Sequence, residues 1–429
     1  IAARLGRDLD VVFPGVVDTL DAAEAAGQAF AEARVELLVV VEGTYVPDYI
    51  SLQAISHVEQ VPLVLFTTQE AADITPQDDY ETAMRNSALI GTAQLSGSLL
   101  KMGREFSVVV GAIEDEAPYQ EIHRLASARR VAQRLRTLTI GVVGHVFRGM
   151  YDLENDKTKI KGALGPNVVY VELAHLVRQW EAVTPEEVAA ATEGWVGRFR
   201  LRDTTEAEVQ KSVRVGLAMQ RLVEHLRLDA LCFLGQHYIE KTMGAPARLG
   251  ASMLLEAGQH LAACEGDVAG LALAQAMHWF TGKSPLQAEW GQYDATHNAL
   301  FLLGHGVASP ALAASEAAVS ITGAPEEWGF AGQGANLELI LAPGPVTLAH
   351  LLDTAQGWQM LITGGQALPY PGLPCREIHA LVQLERPVKE YLVDIQEWGV
   401  THHVIVIPGD IRQELQYLAR ALKLRYRVF

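Results

Sequence analysis

Short apolar runs recur along the first half of the chain at spacings too wide for hairpins. VELLVVV from Val35, PLVLFT over 62–67 and FSVVVGA over 106–112 are each about one strand long, and stretches of helical periodicity such as Thr82 to Met102 lie between them. Strands of a parallel sheet are covered on both faces, so they read as continuous apolar runs, and they need helical crossovers to connect them. The pattern predicts a doubly wound α/β domain over 1–135. The opening IAARLGRDLDVVFP reads as a helix end running into a strand, so an earlier strand is expected ahead of Ile1.

A second unit of the same kind starts near Arg136. RTLTIGVVGHVFRGMYDLEND offers a strand and a glycine-bearing turn, and NVVYVE, DALCFL and a helix from Leu249 carry the domain to 285. Thr204 to Leu226 reads as a long amphipathic helix covering the core. After Pro285 the pattern changes. NALFLLGH, ANLELILA, WQMLITGG, EIHALVQL and THHVIVIPGD are strand-like runs with more Gly and Pro and fewer helices between them, and a helix over 411–422 follows. Such a segment is predominantly antiparallel and barrel-like. The expected fold class is α/β: two Rossmann-like doubly wound domains, then a β-rich, barrel-like C-terminal domain over 286–429.

Composition narrows the function. The chain has 429 residues, 34 of them basic and 51 acidic, for a formal charge of -17. That balance repels nucleic acid and anionic membranes and fits a small-molecule substrate. No apolar run approaches the roughly 18 residues of a membrane span. Cys232, Cys264 and Cys375 have no CxxC spacing, which points to a reducing compartment, and a cytoplasmic location is expected. GVVGHVFRG is not a GxGxxG fingerprint and no Walker A pattern occurs, so a nucleotide site is not indicated.

Candidate chemistry concentrates between Cys264 and Pro310. Glu265 lies in the tight turn ACEGD, Glu289 in AEWGQYD, and His305 ends a strand between two glycines. His402 and His403 open the last apolar strand, where adjacent residues face opposite sides, so only one is expected to face a given site. Each has a plain alternative. Glu265 or Asp267 would serve as a helix cap, Glu289 as an exposed acid, and His305 as a polar strand end. Two carboxylates with two imidazoles form a mixed oxygen and nitrogen set suited to Mn²⁺, with Co²⁺, Fe²⁺ or Mg²⁺ as rivals. Gln236 and His237, after the DALCFL strand, and Trp290, beside the second acid, are candidate substrate contacts, because strand ends favour ligands.

At these residues the chain resembles the L-fucose isomerase and L-arabinose isomerase superfamily. CEGDVAG, EWGQYD, LGH and the C-terminal HH occur in the family's order, and AQLSGSLLKMGREFSVVVG and IGVVGHVFRGMYDLENDKTKIKGALG are similar to its earlier segments. The resemblance implies a metal-dependent aldose–ketose isomerase with two Rossmann-like domains and a barrel-like one. By it, Glu265, Glu289, His305 and His403 match the metal ligands, and Glu265 and Glu289 would also move the proton between C1 and C2 through a cis-enediol. It further implies a homo-oligomer, trimer or hexamer, with the site at a subunit interface. L-fucose, L-arabinose, D-arabinose and L-galactose are the substrates in view. A non-enzymatic sugar-binding sensor is the alternative, since two α/β domains flanking a cleft also describe sugar receptors.

Overall fold

The computed structural model describes the chain apart from residues 145–148, 234–235, 259–260 and 327–329, with Gln236 described by its backbone alone. It divides into two compact units, Ile1–Arg130 and Val131–Phe429, and the boundary falls inside helix Ala117–Thr137.

The first unit is built on a parallel sheet of β1 (Leu38–Val40), β2 (Leu63–Thr67) and β3 (Ser107–Val110) in that order. The apolar run predicts the central strand correctly. Leu63, Val64, Leu65 and Phe66 of β2 are all buried, while β3 at the edge leaves Val108 and Val110 exposed. The stretch read as one helix from Thr82 is two, Tyr80–Arg85 and Ala88–Lys101. Val11 to Val17 joins no strand, so the strand expected after the opening helix is not there.

The second unit begins with β4 (Thr139–Val143) and β5 (Asn167–Val171); after β6 (Arg200–Arg202) come β7 (Ala230–Phe233) and β8 (Leu261–Cys264). β4, β5, β7 and β8 form a parallel sheet in the order β5-β4-β7-β8. Thr205 caps helix Glu206–Leu226, which buries Val209, Val213, Met219 and Leu222 as its amphipathic pattern requires. This helix crosses helix Arg248–Ala257 where Gly216 meets Gly250; a Cβ on Gly250 would stand 2.8 Å from the Cα of Gly216. No side chain fits between those backbones.

β9 (Leu286–Asp294) and β10 (Ala299–Leu303) form a hairpin, and β11 (Ser320–Gly323) and β12 (Ala335–Glu338) leave to join β6 in a small separate sheet. β13 (Gly344–Thr354), β14 (Gly357–Ala367), β15 (His379–Leu384) and β16 (His403–Pro408) complete an antiparallel ring with β9 and β10, and the long β13–β14 pairing closes it into a six-stranded barrel. β17 (Arg425–Val428) lies parallel to β14 outside that ring. ANLELILA, read as barrel wall, thus lies elsewhere. β12 buries Ala335 and Leu337 in the core on one face, and on the other its buried Asn336 and Glu338 are bonded to Arg376 and Arg202.

One apolar core runs through this unit. Ile140, Phe233 and Leu261 of the sheet belong to the same cluster as Leu286, Leu348 and Val404 of the barrel. The stretch from Cys264 to Pro310 therefore joins two parts of one packed body. No helix among the described residues is long and apolar enough to cross a membrane, and the three cysteines are free thiols.

Candidate metal centre

Glu265 is the first residue after β8 and has φ +60°, followed by Gly266 at φ +74°. An L residue held in that region costs on the order of 1–3 kcal/mol, and such strain persists where the surroundings over-determine it. Here both sides of the turn are anchored. The Cys264 amide donates to Gln287 Oε1 at 2.9 Å, tying β8 to β9. On the other side Asp267 Oδ1 accepts from the Gly270 amide at 2.7 Å and caps helix Val268–Thr281. Capping, one of the two readings open for this turn, falls to Asp267, and Glu265 is left to point into the cluster.

Strand register brings the other groups to it. Glu289 on β9 lies opposite His403 on β16 and opposite Leu303 on β10, with His305 just beyond β10. The β9–β10 ladder shifts register between Phe301 and Leu302, leaving Gly291 unpaired, and such a bulge re-aims the side chains that follow it. Across the resulting space His403 Nε2 is 3.0 Å from Glu265 Oε2, His305 Nε2 is 2.9 Å from Glu289 Oε1, and His305 Nε2 is 3.7 Å from Glu265 Oε1. The structure thus brings Glu265, Glu289, His305 and His403 together.

It also adds His402, contrary to the expectation that only one of the histidine pair faces the site. β16 starts at His403, and among the described residues His402 joins β9 only through its carbonyl, which accepts from the Trp290 amide, so strand alternation does not fully fix its side chain. Its ring sits 4.3 Å from that of His403, centroid to centroid, and its Nε2 reaches to 3.4 Å from the same Glu265 oxygen. One donor atom from each of Glu265, Glu289, His402 and His403 lies within 4.8 Å of the others.

Electrostatics agree with a site built for a cation. Burial works against ionising Glu265, yet hydrogen bonds from His402 and His403 and the charge of His305 hold its carboxyl well below the usual range. Burial likewise opposes ionisation of Glu289, and the bond from His305 outweighs it. His403, 1% exposed, is opposed by burial but pushed up to about 10 by Asp267 and Glu265. His350 behaves oppositely. Burial lowers it to about 4, and its neutral ring accepts from the Thr401 amide at 3.1 Å, steadying the residue before His402.

Asp267 is a residue the sequence reading passed over except as a cap. Its Oδ2 lies 3.0 Å from His403 Nδ1. Gln287 Nε2 stands 2.9 Å from the same nitrogen, but the buried, ionised carboxylate is the stronger partner and can only accept, so Nδ1 carries the proton. Nε2 faces Glu265 Oε2 and, in the metal-free protein, donates a second proton to it; once a cation displaces that proton the Nε2 lone pair is aimed at the site, the orientation a carboxylate imposes on a ligating histidine. Asp267→Ala removes both the cap, about 1 kcal/mol, and the partner of a buried N–H, about 1–3 kcal/mol. A loss of stability of about 2–4 kcal/mol is expected, read from urea melts of chelated protein; a variant as stable as the wild type would refute the dual role.

The proposed substrate contacts lie apart from this cluster's bonds. His237 sits in helix Gln236–Met243 beyond β7 and stacks on Phe330 with centroids 4.2 Å apart. Trp290 donates Nε1–H to the Thr401 carbonyl at 3.1 Å. The side chain of Gln236 lies outside the described residues.

Three imidazoles and two carboxylates converging at the join of a parallel sheet and a closed barrel define a candidate centre for a divalent cation. No family model matches the chain. It is 25% identical to a sulfoquinovose isomerase of Alkalicoccus urumqiensis over 343 residues, covering 79% of this chain and 75% of that protein. A sulfoquinovose isomerase of Priestia aryabhattai is 23% identical over 356 residues, 81% of this chain and 76% of its own. An L-arabinose isomerase of Yersinia enterocolitica is 25% identical over 170 residues, 38% of this chain and 34% of its own. These similarities support an enzyme of the aldose–ketose isomerase type and a place in the arabinose isomerase-like sugar isomerase superfamily.

Proposed function

We propose that this chain is a metal-dependent aldose–ketose isomerase acting through a cis-enediol. The observation that carries the reading is the convergence of Glu265, Glu289, His402 and His403 donor atoms within 4.8 Å, with His305 bonded to Glu289. A mixed oxygen and nitrogen set of this kind fits Mn²⁺, with Co²⁺, Fe²⁺ or Mg²⁺ as rivals. Glu265, Glu289, His402 and His403 would hold the ion, with His305 beside them on Glu289. When bound, it supplies Lewis acidity that polarises a sugar carbonyl and makes the neighbouring C–H more acidic.

The chain's own groups account for the proton traffic. Isomerisation takes a proton from C2 of the open-chain aldose, returns one to C1 and moves the hydroxyl proton from O2 to O1, so it needs acid/base groups along the flat enediol. Glu265 and Glu289 fill those roles. They lie on different elements, one after β8 and one on β9, which lets them approach a bound sugar separately. His305, bonded to Glu289, orients that carboxylate.

Sulfoquinovose heads the candidate substrates, because relatives bearing that name align with about four-fifths of the chain. L-arabinose, L-fucose, D-arabinose and L-galactose follow from the family resemblance. His237 remains the candidate sugar contact, with Gln236 next to it, and Trp290 supports the histidine pair through Thr401. A homo-oligomer, trimer or hexamer, with the site at a subunit interface belongs to the same reading. The sensor alternative loses its ground, since the similarities support an enzyme. The test is ketose formation from each of the five sugars by Mn²⁺-loaded protein. Turnover of at least one is expected; turnover of none would overturn the assignment.

A further inference from the structure

His402 is held differently from its neighbour. Its backbone N–H donates to Asp152 Oδ2 at 3.2 Å and its Nδ1 lies 2.6 Å from the same oxygen, across 250 residues of sequence. Asp152 belongs to the turn Tyr151–Leu153 that follows β4, on the central sheet, whereas His402 precedes β16 of the barrel. One carboxylate oxygen thus grips both the main chain and the ring of a residue whose backbone joins β9 through its carbonyl, which accepts from the Trp290 amide.

We infer that Asp152 is a positioning residue for the metal centre: by holding His402 as the Nδ1–H tautomer it aims the Nε2 lone pair at the ion bound beside Glu265. The carboxylate only accepts, so the proton of that short contact sits on Nδ1. The opposite nitrogen then points at Glu265 Oε2, 3.4 Å away, where His403 Nε2 also arrives at 3.0 Å. The two adjacent histidines are therefore oriented by two separate carboxylates, Asp152 from the turn after β4 and Asp267 from the turn after β8. The pairs differ in exposure. The His403–Asp267 pair is buried, with side chains 1% and 6% exposed, whereas His402 and Asp152 are 32% and 38% exposed. Asp152 is thus a support at the open side of the cluster, where the fold can lose it without losing its core.

The inference rests on the metal-centre reading of the proposed function, and the arms of its test separate the two. Calorimetric titration of chelated protein with Mn²⁺ is the measurement. Asp152→Ala should weaken Mn²⁺ binding about 10- to 100-fold, the usual effect of removing a carboxylate behind a ligating histidine, while leaving the thermal midpoint of the chelated protein unchanged. Asp152→Asn should restore most of the affinity, because both bonds go to one oxygen and an amide oxygen, though a weaker acceptor, can take both. Asp267→Asn should not be rescued in this way, since Asp267 uses one oxygen for Gly270 and the other for His403. Unchanged Mn²⁺ affinity in Asp152→Ala would overturn the positioning role, as would an Asp152→Asn variant as weak as the alanine form. If the wild type itself takes up no Mn²⁺, the metal-centre reading fails, and this inference with it.

Discussion

Glu265→Gln is expected to lower kcat/KM for the preferred sugar by at least about 10³-fold while the protein stays folded, and Glu289→Gln to do nearly as much. General acid–base groups contribute about 10²–10⁴-fold each, and both residues are also proposed ligands, so each substitution removes two functions at once. Glutamine keeps the length and shape of the side chain but turns one acceptor into a donor. At Glu265 that is severe, because Oε2 faces His402 and His403 while Oε1 faces His305. Whichever way the amide turns, an N–H group points at an imidazole. Glu289 has His305 as its hydrogen-bonded partner, so its variant disturbs fewer contacts and loses chiefly the acid/base function. The backbone strain at Glu265 is the same for either side chain, so circular dichroism of Glu265→Gln should match the wild type, with a lower melting temperature from the lost carboxylate–imidazole bonds. Either variant retaining more than a few per cent of the wild-type rate with Mn²⁺ in excess would remove it from the mechanism.

Much of this architecture is legible in the sequence, for physical reasons that also mark where it stops. The runs that became β2, β4 and β7 announce themselves because both faces are buried, leaving no polar alternation to confuse the reading, whereas LAAC of β8 is too short to stand apart from the helix that starts near Leu249. β9 and β13 are harder. LQAEWGQYD buries Leu286 and Ala288 opposite the site and then runs out into solvent over its second half, and GPVTLAHLLDT opens with residues that otherwise mark turns. Closure of the barrel depends on the register of β13 against β14, which no local pattern encodes. ANLELILA shows the reverse error, a strand correctly located but assigned to the wrong sheet.

The site divides the same way. Glu265, Glu289, His305 and His403 stand out through short segments that occur in a family's order, and spacing alone is too weak to single them out. His402 was set aside by a rule of strand alternation that holds only inside the ladder, and β16 begins one residue later. Asp152 had no signal. It lies in an acidic, polar stretch after a turn, and its meaning depends on a contact spanning 250 residues. Asp267 was visible as a cap, and the cap is real, but the second oxygen on His403 is a tertiary fact.

Chelation should abolish turnover and Mn²⁺ should restore it, with an apparent affinity that rises with pH. The sign follows from the protons. In the metal-free protein Asp267 and Glu265 push His403 up to about 10, so the ring is an imidazolium throughout the neutral range. A cation can take His403 as a ligand only by displacing that proton. Below about pH 10 each unit of pH should therefore strengthen binding up to about tenfold, with about one proton released per ion from this group. Titrations in two buffers of different ionisation enthalpy measure that release directly. Binding also selects the folded state, so Mn²⁺ at 100 times its Kd should stabilise the protein by about 2.7 kcal/mol, raising its melting temperature in step with activity. Full activity after exhaustive chelation, or uptake of Mn²⁺ with no proton release and no stabilisation, would mean that these carboxylates and imidazoles hold one another and no ion.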